Sequence, residues 1–437
     1  MQRKNTQLQS VLKIKQKLGF LKPKSLAKKL NLTKRMDRKC TIVDIILGHW
    51  QLISNGGFSF DNWAMQVSTI TGKTLSGQGL WKRVVRPEII PYIKALLHKS
   101  FKQKCDSFID SKVFSCFKNV YVQDATHFSL PSNLSNVFPG SYSKYGNRAN
   151  AKIQAIFNFK KGYFSDFTLN SFRDKDQKDA PRFINMLNKG DLIIRDLGYF
   201  VLDVFNQIDK EQAYFLSRFK YNILVFDANT NEKLKLDTCL KNNKHLDLEV
   251  FLGKQKSVKC RFVAIPLSDE IANERRRKAK NSRNKKTNHS KEYLYLLGYS
   301  IYITNVSKEI WTISNITQAY KTRWYIEILF KSWKSNLKMK DNIPQKHINK
   351  QRAEFFFYST LLMINILVMP IFNKAQLFIE KIKIAISIIK LSEIIRENMQ
   401  MIINQKINIL EQIKYYATYE SRKKRVNAIE TIYFNIS

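Results

Sequence analysis

The chain has 437 residues, more than the roughly 100 to 200 of a typical domain, so we expect two or three domains. Its 75 Lys or Arg against 35 Asp or Glu give a formal net charge of +40, which indicates a polyanionic partner. Hydrophobic residues make up 44% and aromatic residues 12%, which excludes a disordered basic tail, because such a chain lacks the apolar side chains that form a core.

Residues 1–112 are predicted to form a helical DNA-binding domain. The first fifty residues are rich in Lys and Arg and contain only two acids, a composition that suits contact with DNA phosphates. Residues 58–86 have a helix-turn-helix pattern. We expect Asp61 to cap its first helix, Gly72 to form the turn, and Lys82 and Arg83 on the second helix to face DNA. The alternative is two ordinary amphipathic helices joined by a glycine turn.

Residues 113–220 are predicted to form the first part of an α/β core. Short β-branched and aromatic runs alternate there with helical patterns, which we expect at 180–189 and 199–209. This order predicts a sheet of mixed direction covered by helices. The next segment, 221–314, is predicted to be a β-rich insertion, with strands expected at residues 248–253, 258–267, 292–305 and 309–315.

The densest charge in the sequence lies inside that insertion, from Glu274 to Lys291. Its basic residues are Arg275, Arg276, Arg277, Lys278, Lys280, Arg283, Lys285, Lys286 and Lys291. A charge run is usually a solvated helix or loop, but like charges at this density repel one another unless a polyanion screens them. We therefore predict that this run contacts nucleic acid.

A single helix is predicted over residues 316–339, within a segment, 315–370, that completes the core. At about 100° per residue, Tyr320, Arg323, Glu327 and Lys334 fall on one narrow stripe flanked by apolar side chains. We expect this stripe to face a polar cleft or a ligand. The alternative is a salt-bridge ladder from Arg323 through Glu327 to Lys331. The helices of residues 371–437 could cover the core or pair with a second protomer.

Two of the predicted core strands each lead into an aspartate. The first strand is expected to end at Asp124, and the run 192–195 leads into Asp196 and a glycine turn. A carboxylate in such a place is costly to bury unless it is paired or binds a cation. The alternative for each aspartate is that it caps the turn that follows.

We expect no secretory signal, because the basic N-terminal segment lacks the apolar stretch that such signals require. The most apolar segment, Phe355 to Met369, is shorter than the about 20 residues of a bilayer span, so we expect a buried core helix and no membrane partner. The five cysteines form no Cys-x-x-Cys pair and are expected to be buried thiols in a reducing cytosol.

The pattern Tyr320-x2-Arg323-x3-Glu327-x6-Lys334 resembles the Tyr-Arg-Glu-Lys signature of DDE transposases of bacterial insertion-sequence family four. The segments DATHFSLP and RDLGYF, which contain Asp124 and Asp196, resemble the two aspartate motifs of that family. All three motifs occur in the family's order, and the long gap before Glu327 is similar to the family's β-rich insertion. The resemblance covers about residues 113–365.

This resemblance implies a ribonuclease-H-like catalytic core in which Asp124, Asp196 and Glu327 hold two Mg²⁺ ions, with Mn²⁺ as a substitute. Carboxylate oxygens are the hard ligands that Mg²⁺ prefers. Two such ions can activate a hydroxyl group and stabilise the leaving oxygen of a phosphodiester displacement. The expected activity is the binding of terminal inverted repeats in double-stranded DNA, followed by DNA cleavage and strand transfer.

The resemblance also implies partners and a location. We expect a homodimer on paired element ends, at the nucleoid in a bacterial cytoplasm. A nucleotide cofactor is not expected, because the sequence has no glycine-rich phosphate loop. The alternative is a catalytically inactive or domesticated descendant that only binds DNA. The residues expected to contact DNA on this basis are Tyr320, Arg323, Lys331, Lys334 and an aromatic, Trp311, Tyr299 or Tyr302, that would stack a flipped base.

Overall fold

The structure is a computed structural model whose residues fall into two compact units. The residues it describes are 14–33, 39–55, 58–102, 111–142, 144, 146–281, 289–346, 348–379, 385–404 and 409–418. The first unit comprises Met1–Ile109, Ala125–Asp174 and Trp324–Ser437, and the second comprises Asp110–Asp124 and Lys175–Arg323. Both units combine segments that are distant in sequence. The division of the chain into five consecutive segments therefore remains a prediction.

The described residues form α-helices, strands and short 3₁₀ or π segments. The α-helices are α1 Ile14–Phe20, α2 Pro23–Lys29, α3 Ile42–Asn55, α4 Phe60–Thr71, α5 Gly77–Val84, α6 Ile89–Ser100, α7 Asp176–Asp179, α8 Leu202–Lys210, α9 Leu236–Asn242, α10 Asp269–Lys280, α11 Lys291–Leu296, α12 Ile313–Lys321, α13 Trp324–Lys331, α14 Lys350–Met363, α15 Met369–Ile379, α16 Ile388–Glu397, α17 Met399–Ile403 and α18 Ile409–Tyr416. The strands are β1 Val120–Leu130, β2 Ala149–Asn158, β3 Tyr163–Ser171, β4 Leu192–Arg195, β5 Tyr214–Arg218, β6 Val225–Asp227, β7 Leu246–Leu252, β8 Val258–Pro266 and β9 Tyr299–Thr304.

A mixed sheet runs through the fold, as the sequence predicts. Its strand order is β3-β2-β1-β4-β5-β9-β8-β7-β6. In the second unit β1, β4 and β5 are parallel, whereas β5 to β9 and the strands beyond are antiparallel. In the first unit β2 and β3 form an antiparallel pair. Strands β4 and β5 consist almost wholly of buried residues, since both faces of a parallel sheet are covered.

Helices α4 and α5 of the first unit lie where the sequence predicts a helix-turn-helix pattern. The cap of α4 is Ser59, whose hydroxyl accepts from the amide of Asn62 at 3.0 Å, and not Asp61, which lies in the first turn of the helix. Gly72 ends α4 with a φ of 69°, in the left-handed region that favours glycine. The two helices are confirmed, whereas contact with DNA remains a prediction.

One long apolar helical stretch, Lys350–Leu377, forms part of the core of the first unit. It is the one described helix long and apolar enough to cross a membrane, and its most apolar window is entirely buried inside the structure. Residues 355 to 369 are all buried, as predicted. A soluble-type core helix passes the same length and composition test, and burial favours that interpretation.

Several predicted elements take another form. The strand expected at 292–305 begins as helix α11 and becomes strand β9 only from Tyr299, and residues 309–315 lead into helix α12. The helix expected at 180–189 is a 3₁₀ segment, Ala180–Met186. Strand β1 continues through Asp124 to Leu130, because Phe128 and Leu130 are buried and extend its apolar face. Short apolar runs do not distinguish helix from strand, which explains the first of these errors.

The single helix predicted over 316–339 is interrupted twice. Helix α12 ends in a tight turn where the amides of Thr322 and Arg323 bond the carbonyls three residues earlier, each at 3.1 Å. Helix α13 then begins at Trp324, and a π-helical segment, Ser332–Asn336, follows it. The predicted stripe assumed one straight α-helix. That assumption does not hold for Tyr320, Arg323, Glu327 and Lys334, which do not lie on one helical segment.

Candidate active site

Asp124 and Asp196 lie at neighbouring positions of two parallel strands in the second unit. The last paired residues of β1 and β4 are Gln123 and Arg195, and the two aspartates follow them directly. Adjacent strands lie about 4.8 Å apart, so the aspartates are close neighbours. Asp196 keeps an extended backbone, with φ −82° and ψ 165°, and its side chain makes no capping hydrogen bond. The alternative of a turn-capping Asp196 is therefore not supported.

Arg323 neutralises the first of these carboxylates. Its Nη1 donates to Oδ2 of Asp124 at 2.8 Å, and both side chains are largely buried. A charge-assisted contact of this kind is roughly twice as strong as a neutral hydrogen bond. Arg323 therefore contacts one of the two predicted aspartates, and the salt-bridge ladder from Arg323 through Glu327 to Lys331 stays an alternative.

Tyr320 lies beside the same group. Burial raises the pKa of its phenol, the nearby Arg323 opposes that rise, and Asp196 adds to it. Its hydroxyl has no hydrogen-bond partner among the described residues, and its ring packs on that of Tyr302 with centroids 5.1 Å apart. The second unit thus brings together Asp124, Asp196, Arg323 and Tyr320, four residues that the sequence singles out.

A buried polar network lies on the opposite face of the same strands. Successive residues of a strand alternate between faces, so Gln123 and Arg195 point away from the two aspartates. Gln123 Nε2 donates to Oδ2 of Asp179 at 3.0 Å, and Arg195 Nη2 donates to the carbonyl of Ala180 at 2.8 Å. Arg182 donates to both oxygens of Asp179, at 2.8 and 3.1 Å. This network ties β1 and β4 to one support directly behind the acids.

Burial lowers the pKa of Arg195 to about 10, so the guanidinium stays charged at neutral pH, and Asp179 favours that charge. Arg195 is 0% exposed and Asp179 only 7%. Buried charges require partners, and here Arg195 donates to the carbonyl of Ala180 whereas Asp179 pairs with Arg182. Sequence reasoning missed this network, although an arginine inside the apolar run of β4 was a signal that could have found it.

The third predicted acid, Glu327, lies in the first unit. It occupies the first turn of helix α13 and is partly exposed, with Lys331 exposed at the end of the same helix. Lys334 follows in the π-helical segment, where its ammonium lies 5.4 Å from the centre of the Phe128 ring. Among the described residues no group of three or more His, Cys, Asp or Glu is close enough to hold a metal ion. The three-acid metal site therefore remains a prediction.

A model of the transposase DDE domain matches residues 115–366, more than half of the chain. The chain belongs to the DDE transposase family. The predicted DDE transposase of an insertion-sequence family is confirmed, as is the enzyme class that cleaves DNA and transfers strands. The family depends on divalent metal ions and acts on DNA. The assignment to family four remains a prediction.

Curated relatives of the transposase cover most of its length. The transposase for insertion sequence element IS231E of Bacillus thuringiensis subsp. finitimus is 29% identical over 401 residues, which cover 86% of this chain and 83% of the relative. The transposase for IS231D of the same subspecies is 30% identical over 357 residues, covering 76% and 73%. A solved piggyBac transposase synaptic complex with hairpin DNA aligns with 97% of this chain and 87% of its own, at 8% identity and a TM-score of 0.43, too low to establish a shared fold.

Two arginines of the basic run form hydrogen bonds within the second unit. Arg275 donates to the carbonyl of Tyr299 and Arg276 to that of Leu294, both at 3.1 Å, so these guanidinium groups hold the second unit together. Arg277 is exposed on helix α10. Arg283, Lys285 and Lys286 lie outside the described residues. Contact between this run and DNA remains a prediction, best supported for Arg277.

Three further residues predicted to contact DNA differ in exposure. Lys82 is exposed on helix α5, whereas Arg83 donates its Nη1 to the carbonyl of Cys40 at 3.0 Å and so has a role within the first unit. Trp311 is a core residue of the second unit, 1% exposed, whose indole N–H donates to the carbonyl of Val113 at 2.8 Å. A buried and hydrogen-bonded indole cannot stack on a base without leaving the core, so the structure corrects the assignment of Trp311.

Of the other aromatics considered for a flipped base, Tyr299 is the more accessible. It lines a cleft of about 620 Å³ in the second unit together with Arg218, Arg275 and Tyr293. Tyr302 is buried against Tyr320. A cleft that combines cations and phenol rings can accept both the phosphate and the base of a nucleotide.

Proposed function

We propose that this transposase moves an insertion sequence by binding its terminal inverted repeats and cutting the element's ends, with Asp124, Asp196 and Glu327 as the catalytic acids. The observation that carries the proposal is the placement of Asp124 and Asp196 at neighbouring strand positions, with Arg323 already neutralising one of them. Two adjacent carboxylates disfavour each other's charge unless a cation lies between them. The pair therefore supports metal-dependent chemistry over DNA binding alone.

The donor set fits Mg²⁺, with Mn²⁺ as a substitute. Both aspartates offer hard oxygen ligands, and Asp124 already holds a cationic group, the guanidinium of Arg323. Glu327 would be the third ligand. When bound, two such ions would activate a water or 3′-hydroxyl and stabilise the leaving oxygen of the phosphodiester.

Arg323 and Tyr320 would hold the DNA backbone beside these acids. A guanidinium binds phosphate oxygens as it binds a carboxylate, so Arg323 would turn to a phosphate once another cation neutralises Asp124. The buried hydroxyl of Tyr320 keeps its proton at neutral pH because its pKa is raised, and it would donate to a phosphate oxygen. Lys331 and Lys334 would add exposed positive charge next to Glu327.

DNA recognition and assembly complete the proposal. Helices α4 and α5 would bind the inverted repeat, with Lys82 on the exposed side of α5. Tyr299 would stack a flipped base in its cleft. The mixed sheet with three parallel central strands supports a ribonuclease-H-like core, and a homodimer would pair the two ends.

The test is cleavage of the element's own end DNA by Asp124→Asn, Asp196→Asn and Glu327→Gln variants in Mg²⁺ and in Mn²⁺. Each variant should lose cleavage by at least about a thousandfold while its DNA affinity stays within a few fold, because catalytic groups that act as a unit fail together. Asp203→Asn and Glu270→Gln, which change exposed acids, should cleave like the wild type. Retained cleavage in any of the three variants would remove that residue from the catalytic set.

A further inference from the structure

We propose that the first unit carries a second nucleic-acid site, the Trp81 groove, which binds unpaired nucleotides of DNA. The groove is lined by Phe58, Phe60, Trp81, Lys338, Lys340 and Lys346 and has a volume of about 810 Å³. Ligand sites typically range from about 300 to 1,000 Å³. The inference rests on the proposed DNA function and adds a site built from residues other than the three acids.

The aromatic side of the groove is rigid and accessible. Trp81 is 38% exposed, although the guanidinium of Arg352, itself a buried residue, lies 4.6 Å from the centre of its ring. The same guanidinium lies 5.8 Å from the centre of Phe60, whose ring packs at 5.2 Å against that of Phe58. The exposed indole is held in place by the cation–π contact with Arg352. It offers a flat surface on which a base can stack.

The lysine side of the groove is also fixed in place. Lys338 adopts a left-handed backbone, φ 46°, which side chains rarely occupy. The amide of the buried Asn342 side chain donates to the carbonyl of Lys338 at 3.2 Å, and the backbone amide of Asp341 donates to the same carbonyl at 2.9 Å. Strained backbone held by such bonds is concentrated at binding sites.

Charge decides which ligand fits. Lys338, Lys340 and Lys346 are exposed and form no ion pair with any residue that the structure describes, and Asp341 is the one acid lining the groove. Aromatic rings next to unpaired cations bind single strands, because a base can stack only when it is not already paired in a duplex. The chain belongs to a family that acts on DNA, which supports DNA over RNA as the ligand.

The experiment measures binding of the full-length protein to labelled oligo(dT), oligo(U) and a duplex of the element's end, as a function of salt. Each lysine–phosphate contact on a single strand makes the slope of log affinity against log salt steeper by about 0.7. Removing three such contacts in K338A/K340A/K346A should therefore make the oligo(dT) slope shallower by about 2. The control K233A/K244A/K254A removes the same charge from exposed sites in the second unit and should leave the slope unchanged.

Base stacking is tested through Trp81. W81A should weaken oligo(dT) binding about tenfold, and W81F should remain within about threefold of the wild type, because a phenyl ring still stacks. Trp81 and Trp324 are the exposed tryptophans of the six in the sequence. Quenching of tryptophan emission by oligo(dT) should therefore persist in W324F and disappear in W81F.

The outcomes separate this proposal from the proposed function. Oligo(dT) binding by W81A and by K338A/K340A/K346A within twofold of the wild type would overturn the groove, as would a wild type that binds the duplex end but no oligo(dT). Binding of oligo(U) at least tenfold tighter than oligo(dT) would overturn the choice of DNA. Failure to bind the duplex end would count against the proposed function itself.

Discussion

Replacing Asp179 by alanine should destabilise the strands that carry Asp124 and Asp196. Asp179 accepts hydrogen bonds from Gln123 on β1 and from Arg182, and it favours the charge of Arg195 on β4. Its removal would leave a fully buried arginine without a negative charge that favours its charged form. The perturbation therefore acts on the support of the acids and not on the acids themselves.

The size of the effect follows from burial. Breaking a buried ion pair from one side costs about 3 to 5 kcal/mol, because the remaining charge stays buried and uncompensated. The side chain of Arg182 is 25% exposed and can regain water, whereas Arg195 is fully buried and cannot. We therefore expect about 3 kcal/mol for Asp179→Ala, most of it from Arg195.

A double-mutant cycle identifies that source. Arg195→Met removes the buried charge at similar volume and should change stability by about 1 kcal/mol or less, because Asp179 keeps its ion pair with Arg182 and its hydrogen bond from Gln123. In the Asp179→Ala background the same change should restore at least about 1.5 kcal/mol. The measurements are urea-induced unfolding and hydrogen exchange of the β1 and β4 amides.

The exposed pair of Asp237 and Lys241, 3.3 Å apart, provides a control, and Asp237→Ala should have a much smaller effect. Strict additivity of Asp179→Ala and Arg195→Met would refute the reasoning, because it would mean that the cost does not arise from the stranded arginine.

Two further predictions concern the first unit. Burial lowers the pKa of His49 from 6.5 to about 3. Below pH 6.5 the unfolded chain therefore binds a proton that the folded chain excludes. The free energy of unfolding should fall by about 2 kcal/mol from pH 7.5 to pH 5 for this reason. Urea unfolding of His49→Gln should show a correspondingly flatter pH dependence, and an unchanged dependence would exclude His49 as the cause. Gly77→Ala should lower the melting temperature, because its new Cβ would lie 2.9 Å from the backbone carbon of Phe60 and force α5 away from α4. Gly19→Ala, whose Cβ meets nothing within 4 Å, should be neutral or stabilising, and equal effects of the two changes would contradict the packing argument.

Turn residues and hydrophobic periodicity in the sequence predicted several helices, strands and turns correctly. The glycine turn after α4, the apolar strands around β4 and the buried helix at 355–369 were correct, because turn preference and hydrophobic periodicity are local properties. The errors lie where tertiary packing overrides the local pattern. Residues 292–297 read equally well as strand or helix, and the breaks flanking α13 arise from hydrogen bonds that no periodicity reveals.

For the site, the sequence by itself singled out Asp124, Asp196, Arg323 and Tyr320, since a charge at the end of an apolar strand and a spaced polar motif are visible in one dimension. Which of them meet was decided only by strand register and by the turn at 322–323, which place Arg323 on Asp124. The fold alone also buried Trp311, exposed Trp81 and built the Asp179 support. Burial and pairing depend on residues that are distant in sequence, as in the contact of Trp81 with Arg352, and that information is created only when the chain packs.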